Sequence, residues 1–541
     1  MNSAMAEFDY IIVGGGSAGC ALAGRLSEDP ASRVCLLEAG PPDTSILVRA
    51  PIGIGAILPG KYLNWAFETV PQAGLHQAGK AGRRGYQPRG KVLGGSSSIN
   101  AMIYTRGHAA DYDHWAELGN PGWSYAQVLP YFKKSQNQER RAPNIDGDYH
   151  GTGGPLNVAD LRTPNPLAQA FVDAGMELRL PRNDDFNGAE QEGVGRFQFT
   201  QVNGERCSAA RAFLTPALAR DNLQVLTGVQ VTKVVLDGKQ AVGVLYRQGA
   251  LTQELRAARE VILSAGALQT PQLLLLSGIG PAGELRSHGI AVAHELPGVG
   301  RNLQDHIDIT IPYLSASPHA MGLTFASAVK LIGGILEWRR QRTGIIASNS
   351  TESGGFVKSS ADQAIPDLQL HFTAAIVDDH TRKRHFRRGY CCHVCLLRPK
   401  SQGSVGLNSA DPMAPPRIDP NFLAAQEDLD SLVAGFKLAR RILQAPALAP
   451  FRGRELMTAE VQTDQQIMAD IRNRADTIYH PVGTAKMGQD AMAVVDSQLR
   501  VHGMAGLRVV DASIMPTIPG ANTNAPTIMI AEKAADMIKA F

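Results

Sequence analysis

Three glycines open the chemistry of this chain. Gly14, Gly16 and Gly19 stand in a Gly-x-Gly-x-x-Gly spacing between an apolar run, Asp9-Tyr10-Ile11-Ile12-Val13, and a helix-forming run that begins at Ser17 and Ala18. Each position has a physical reason. The first glycine allows the tight turn, the second lets a pyrophosphate approach the backbone, and the third lets the helix pack close on the strand. The helix start presents unpaired N–H groups and a positive dipole end to phosphates. A second apolar run, Val34 to Leu37, ends on Glu38, where a carboxylate meets a ribose hydroxyl. Strand, turn, helix, strand and terminal acid together bind the adenosine diphosphate half of a dinucleotide. They do not say which dinucleotide.

Other residues have chemistry open to them. Gly94-Gly95-Ser96-Ser97-Ser98 precedes the apolar Ala101-Met102-Ile103-Tyr104. It reads equally as an anion or ring-edge site at the mouth of an apolar helix and as a serine-rich cap. Cys392-His393-Val394-Cys395 has the spacing of a metal or redox pair, but the run alternates like a strand. No second cysteine pair completes a zinc site, so we expect a strand and no metal. Glu352, in Thr351-Glu352-Ser353-Gly354, suits a cationic substrate or simply a polar loop. Among the fourteen histidines, His480 precedes a turn-forming Pro481-Val482-Gly483-Thr484. A neutral imidazole, with an ordinary pKa of about 6.5, is suited to taking a hydroxyl proton at physiological pH.

The elements that position these residues read as an α/β chain. Glu260 to Gly266 has the look of a buried parallel strand returning to the nucleotide sheet. Residues 206–220 read as a helix, and alternation over 367–372 and 393–397 suggests an antiparallel sheet. At 541 residues two domains are expected. The net charge of +3 gives no reason to expect a nucleic-acid partner, and six scattered cysteines suit a reducing, cytoplasmic compartment. Glu7 and Asp9 near the start do not resemble a signal peptide's basic opening. No stretch reaches the roughly 18 apolar residues of a membrane span. Leu331 to Trp338 is short and ends in Arg339-Arg340, which leaves peripheral contact with the inner face of a membrane open. The basic run Arg382 to Arg388 reads as a solvated loop, with an anionic or lipid-headgroup partner as the alternative.

With these motifs in order, the chain resembles the glucose-methanol-choline (GMC) oxidoreductases, which bind FAD. Gly90 to Asp113 matches their first motif, Gly266 to Gly280 their second, and Tyr479 to Thr527 their catalytic end. The resemblance implies FAD over a nicotinamide. It implies cofactor contacts from Gly14, Gly16, Ser17, Ala18, Gly19, Glu38, Ala39 and Trp65, and from Val92, Gly94, Ser96, Asn100, Ala101, Met102 and Ile103. Val231 looks like the residue whose backbone meets the adenine. Ala265, Gly266, Asp511 and Ala512 fall at the phosphates and ribityl, and Asn522 and Thr523 close the pocket beside the ring. His480 would lie over the flavin as base. Asn524 matches the second pocket position, where an amide can hydrogen-bond the substrate oxygen without relaying its proton. His371 matches a position facing the alcohol in choline-oxidising members. Ile99 occupies the place where some members attach FAD through a histidine, so the flavin should be held non-covalently.

The implied fold is a discontinuous, Rossmann-like FAD-binding domain over 1–155, 196–310 and 479–541. An α+β substrate domain with an antiparallel sheet would cover 156–195 and 311–478. The implied function is oxidation of a primary alcohol to an aldehyde, with electrons passed to a quinone or other acceptor, as in bacterial choline and aliphatic-alcohol dehydrogenases. The rivals are an oxidase of the same fold, a hydroxynitrile-lyase-like enzyme and a non-enzymatic flavin protein.

Overall fold

The computed structural model describes residues 7–143 and 145–540. Met1 to Ala6, on which the reading of the N-terminus bears, lie outside them. In chain order, β1 (Glu7–Val13), α1 (Ser17–Leu26) and β2 (Val34–Glu38) are followed by α2 (Pro166–Glu177) and β3 (Gly193–Arg196). Next come β4 (Leu223–Thr227), β5 (Gln230–Asp237), β6 (Gln240–Gln248), β7 (Leu251–Leu263) and α3 (Gly266–Leu276). Then follow β8 (Ile307–Leu314), β9 (Met321–Gly322), α4 (Phe325–Gln341), β10 (Thr351–Val357), β11 (Leu368–Thr373) and β12 (Arg388–Leu396). The last part holds α5 (Gln426–Gln444), β13 (Asp476–Thr477), β14 (Leu507–Val509) and α6 (Asn524–Lys539).

Two seven-stranded sheets organise the chain. The first runs β4-β2-β1-β7-β6-β5, with β14 also paired to β7. Its β1, β2, β4, β14 and the end of β7 are parallel, and all but the edge strand β4, whose Gln224 is exposed, are largely buried on both faces as parallel sheets require. The turn after β1 explains its glycines. Gly14 has φ +103°, and a Cβ there would meet the Ser264 carbonyl oxygen at 2.6 Å. A Cβ on Gly19 would strike the Gly14 carbonyl, so only glycine lets α1 approach β1. Helix α6 packs beside α1, and Arg25 grips the buried Glu532 through Nε and Nη2 at 2.8 and 2.7 Å.

The second sheet is antiparallel, β13-β8-β12-β11-β10-β3, with β9 added to β12. Strands β8 and β13 join this sheet, so it gathers chain from Ile307 to Thr477 together with β3. Helix α5 covers its back with Leu429, Leu432, Phe436 and Ile442, packed on Leu368, Leu370 and Val394. From α2, Phe171 stacks on Phe372 at 4.8 Å. The Cys392–Cys395 stretch lies inside β12 as expected of a strand, and all six thiols are buried and free.

Two local expectations are corrected. The helix expected over 206–220 is shorter and irregular: a π-helical stretch over Ala210–Leu214 runs into a 3₁₀ turn, Thr215–Ala217. Pro216 lacks the N–H that would continue the ladder. Nor does an apolar helix follow the serines. Gly95–Ser98 is a single 3₁₀ turn, and Tyr104 then donates its N–H to Gln198 in extended chain. The Ser97 and Ser98 hydroxyls donate to the carbonyls of Gly94 and Leu93, competing with helix formation.

Candidate active site

One long cavity runs from the glycine turn of the first sheet to the inner face of the second. Its first end is built from Gly14, Gly16, Ser17 and Ala18 at the start of α1, and from Glu38 and Ala39 at the end of β2. Glu38 is buried and accepts N–H bonds from Gly15 (2.9 Å) and Gly40 (2.7 Å). Burial lifts its carboxyl to about 7 against those two bonds. Val231 lines the same end. Asp511 ties two turns together, accepting from Gly266 N–H (2.8 Å), Thr270 Oγ1 (2.6 Å) and Ser513 N–H (2.8 Å). That holds Ala265, Gly266 and Ala512 against the cavity.

The middle is walled by Trp65, Ser96, Ile99 to Ile103, Asn522 and Thr523. Three residues expected at the cofactor lie behind this lining instead. Val92 packs on Ile57, Leu63 and Ile99; Gly94 donates its N–H to the Gly15 carbonyl at 2.7 Å; Gly19 sits under the turn. They shape the wall without forming it.

At the far end His480 is buried, and its partners settle its protonation. Its backbone N–H donates to Asp305 Oδ1 at 2.8 Å, and its Nδ1 lies 3.0 Å from His306 Nδ1. His306 Nε2 faces the Leu397 carbonyl at 3.0 Å. A carbonyl only accepts, so His306 carries its proton on Nε2. Burial, which outweighs the Leu397 bond, lowers the His306 pKa to about 3, so its Nδ1 is a lone pair. His480 therefore carries its proton on Nδ1 and turns a bare Nε2 toward the cavity. Burial first, then the neighbouring His306 and His371, holds His480 well below the usual imidazole range.

Asn522, not Asn524, meets that nitrogen. Asn522 Nδ2 lies 3.1 Å from His480 Nε2, while its Oδ1 accepts from Thr105 Oγ1 (2.9 Å) and Gln369 Nε2 (3.2 Å). Those two donors fix which way the amide points. Asn524 lines the cavity from the first turn of α6, but its Oδ1 accepts from Ser17 Oγ at 2.8 Å. The expected pairing is thus corrected by two residues. The two asparagines share one short segment, and only the turn into α6 decides which faces His480.

His371 also lines the cavity, on β11. Its ring lies 5.7 Å from Phe197 and 6.4 Å from His393, and its buried Nδ1 has no partner among the described residues. Burial, reinforced by His393 and His306, lowers its pKa to about 3. Glu352 does not reach the cavity. It is buried beside β3, where it accepts from Asn165 N–H (2.6 Å) and Ser348 Oγ (2.7 Å). Reading it as a partner for a cationic substrate is therefore corrected.

Sequence reasoning missed Asp305, His306, Thr105 and Gln369. The first two stand together at the polar entry to β8, the one signal available, and His306 meets His480 across 174 positions.

The residues present fit a dinucleotide flavin. Gly16 faces the cavity with no atom nearer to a Cβ position than the Ser264 oxygen at 4.0 Å, and around Gly266 nothing lies within 4 Å. A side chain at either would fill the space a pyrophosphate needs. Fold and site together define a two-sheet flavoprotein whose cavity joins a dinucleotide cradle to a buried histidine. The chain belongs to the GMC oxidoreductase family: residues 8–308 match its N-terminal domain and 399–531 its C-terminal domain. It is an FAD-binding oxidoreductase of that family. It is 50% identical to the alcohol dehydrogenase (acceptor) of Pseudomonas putida, covering 98% of this chain and 95% of that protein. It is 46% identical to human mitochondrial choline dehydrogenase, over 98% and 90% respectively. Pyridoxine 4-oxidase from Mesorbium loti superposes with a TM-score of 0.88 at 32% identity, covering 99% of both chains.

Proposed function

We propose that this chain oxidises an uncharged primary alcohol to the aldehyde and passes the electrons to a quinone or other acceptor besides oxygen. FAD, held without a covalent bond, supplies the hydride acceptor. The observation that carries the reading is the unprotonated Nε2 of a neutral His480, which faces the cavity and accepts from the Asn522 amide at 3.1 Å. His480 takes the hydroxyl proton there. The Asn522 amide then donates to the developing alkoxide, and His306 keeps the imidazole in the tautomer that can act. His371 lines the same cavity from the second sheet. Ile99 offers no nucleophile for a flavin linkage.

An uncharged substrate is favoured by the apolar part of the lining and by the absence of a carboxylate beside it among the described residues, the nearby Arg89 being bonded to the Tyr479 carbonyl at 2.7 Å. Met321, Ile376 and Val377 are apolar, and the carboxylates of the lining, Glu38 and Asp511, sit at the dinucleotide end on backbone amides. Asp308 is bonded to His393, whose imidazole it raises to about 10 against burial, so the pair carries no net charge. The Pseudomonas putida relative, named for an acceptor, supports the electron route. The solved oxidases of similar fold keep an oxygen-using enzyme as the second reading. Anaerobic addition of a primary alcohol tests the first step: the flavin should bleach. Turnover with a dye or quinone analogue should then exceed turnover in air. Equal rates with stoichiometric peroxide would make it an oxidase.

A further inference from the structure

Helix α4 is apolar on two opposite sides. Inward, Trp338 is buried: its Nε1 donates to the Gly204 carbonyl at 2.8 Å and its ring packs on Ala50, Ile346 and Ala347. Outward, Phe325, Ile332 and Leu336 are 88%, 64% and 54% exposed. Spacings of seven and four residues place these three within a stripe about 40° wide, turned away from Trp338. A surface helix ordinarily carries polar residues there. The charges that flank the stripe, Arg339 and Arg340, are exposed cations without a salt bridge among the described residues.

Another exposed apolar residue lies near the start of α4. Strand β9 pairs with β12 through Met321–Gly389 and Gly322–Arg388, so the loop before β12 leaves the sheet beside the start of α4. In that loop Phe386 is 76% exposed, between exposed Arg384 and Arg387. Both ends of the segment reach the active-site cavity. Met321 lines it directly, and Ile52, packed against the Trp338 cluster, lines it from the other side.

We propose that this face docks the enzyme on a bilayer surface rich in anionic lipid, with the α4 stripe and Phe386 in the interface and the cations on headgroups. Aromatic and aliphatic side chains beside Lys and Arg are the composition of a helix lying in a membrane interface. A second copy of this chain would offer the same cations rather than their complement. Docking sets the cavity rim beside the acyl phase, from which an apolar acceptor enters without crossing water. The docking stands on this surface; only its use to a quinone rests on the proposed function.

Flotation of the holoenzyme with phosphatidylglycerol-containing and pure phosphatidylcholine vesicles tests it. The parent should float with the anionic vesicles and be released by salt. The combined variant Phe325→Ser, Ile332→Ser, Leu336→Ser should bind them at least about tenfold more weakly. Arg339→Glu with Arg340→Glu should lose the preference for anionic lipid. Both should keep the parent's flavin content and dye-linked rate. A parent that stays unbound to both vesicles, or a serine variant that floats as the parent does, overturns the proposal. A serine variant that turns a dimer into a monomer with unchanged flotation makes the face a subunit contact instead.

Discussion

Removing His306 separates the geometry of the proposed base from its mere presence. In His306→Phe the ring volume stays, but the lone pair that accepts the His480 Nδ1–H is lost. A buried donor left without its partner costs about 1–3 kcal/mol. His480 escapes that cost by rotating or by moving its proton to Nε2, and either change removes the bare nitrogen from the cavity. At 1.36 kcal/mol per decade, the reductive step should slow by about 5- to 150-fold. His306→Asn, whose carbonyl can accept the same bond, should recover much of the rate. The assay is anaerobic flavin bleaching after mixing with alcohol, followed across pH at full flavin content. His306 also helps hold His480 neutral, so the acidic limb should shift to higher pH in His306→Phe. An unchanged rate with an unmoved limb would refute the tautomer argument.

Asn522→Ala should slow bleaching by about 10²- to 10³-fold, the usual effect of losing a preorganised donor to a developing oxyanion. Asn524→Ala, which loses only a bond to Ser17, should slow it by about tenfold at most; the reverse ranking would restore Asn524 to the pocket position. Acid precipitation should leave all flavin colour in the supernatant, because Ile99 is apolar and buried; colour in the pellet would contradict this. His306 and His371 take up a proton near pH 6.5 when unfolded but only near 3 when folded. Stability contributed by each is therefore full above about pH 6.5 and is lost as pH falls toward 3, by about 1.4 kcal/mol per pH unit. Urea midpoints should fall less steeply with acid in His371→Leu than in the parent, and equal slopes would show that His371 is not buried in its neutral form.

The dinucleotide end was legible because its chemistry is local. Gly14, Gly16, Gly19 and Glu38 lie within one strand-turn-helix-strand unit, so the spacing already dictates where the turn meets the phosphate. The second sheet announced itself through the apolar runs of β11 and β12. What could not be read were pairings set by tertiary packing. His306 and His480 flank the paired strands β8 and β13 at one edge of the second sheet but lie 174 positions apart in the chain, and the Asn522 amide is oriented by Thr105 and Gln369. Glu352 misled because its partners, Asn165 and Ser348, are backbone and loop groups with no signature in the sequence. The apolar helix expected after the serines failed for a related reason, since the Ser97 and Ser98 hydroxyls bond the chain locally.

The central claim is that His480 takes the alcohol's proton, and His480→Ala tests it most directly in anaerobic stopped-flow bleaching across pH. The account predicts a protein with full FAD content whose flavin bleaches about 10²- to 10⁴-fold more slowly. In the parent, the acidic limb should lie well below pH 6.5, because burial and its histidine neighbours hold His480 neutral; in His480→Ala that limb should be absent. A His480→Ala enzyme that keeps both the parent's rate and its acidic limb would contradict the account.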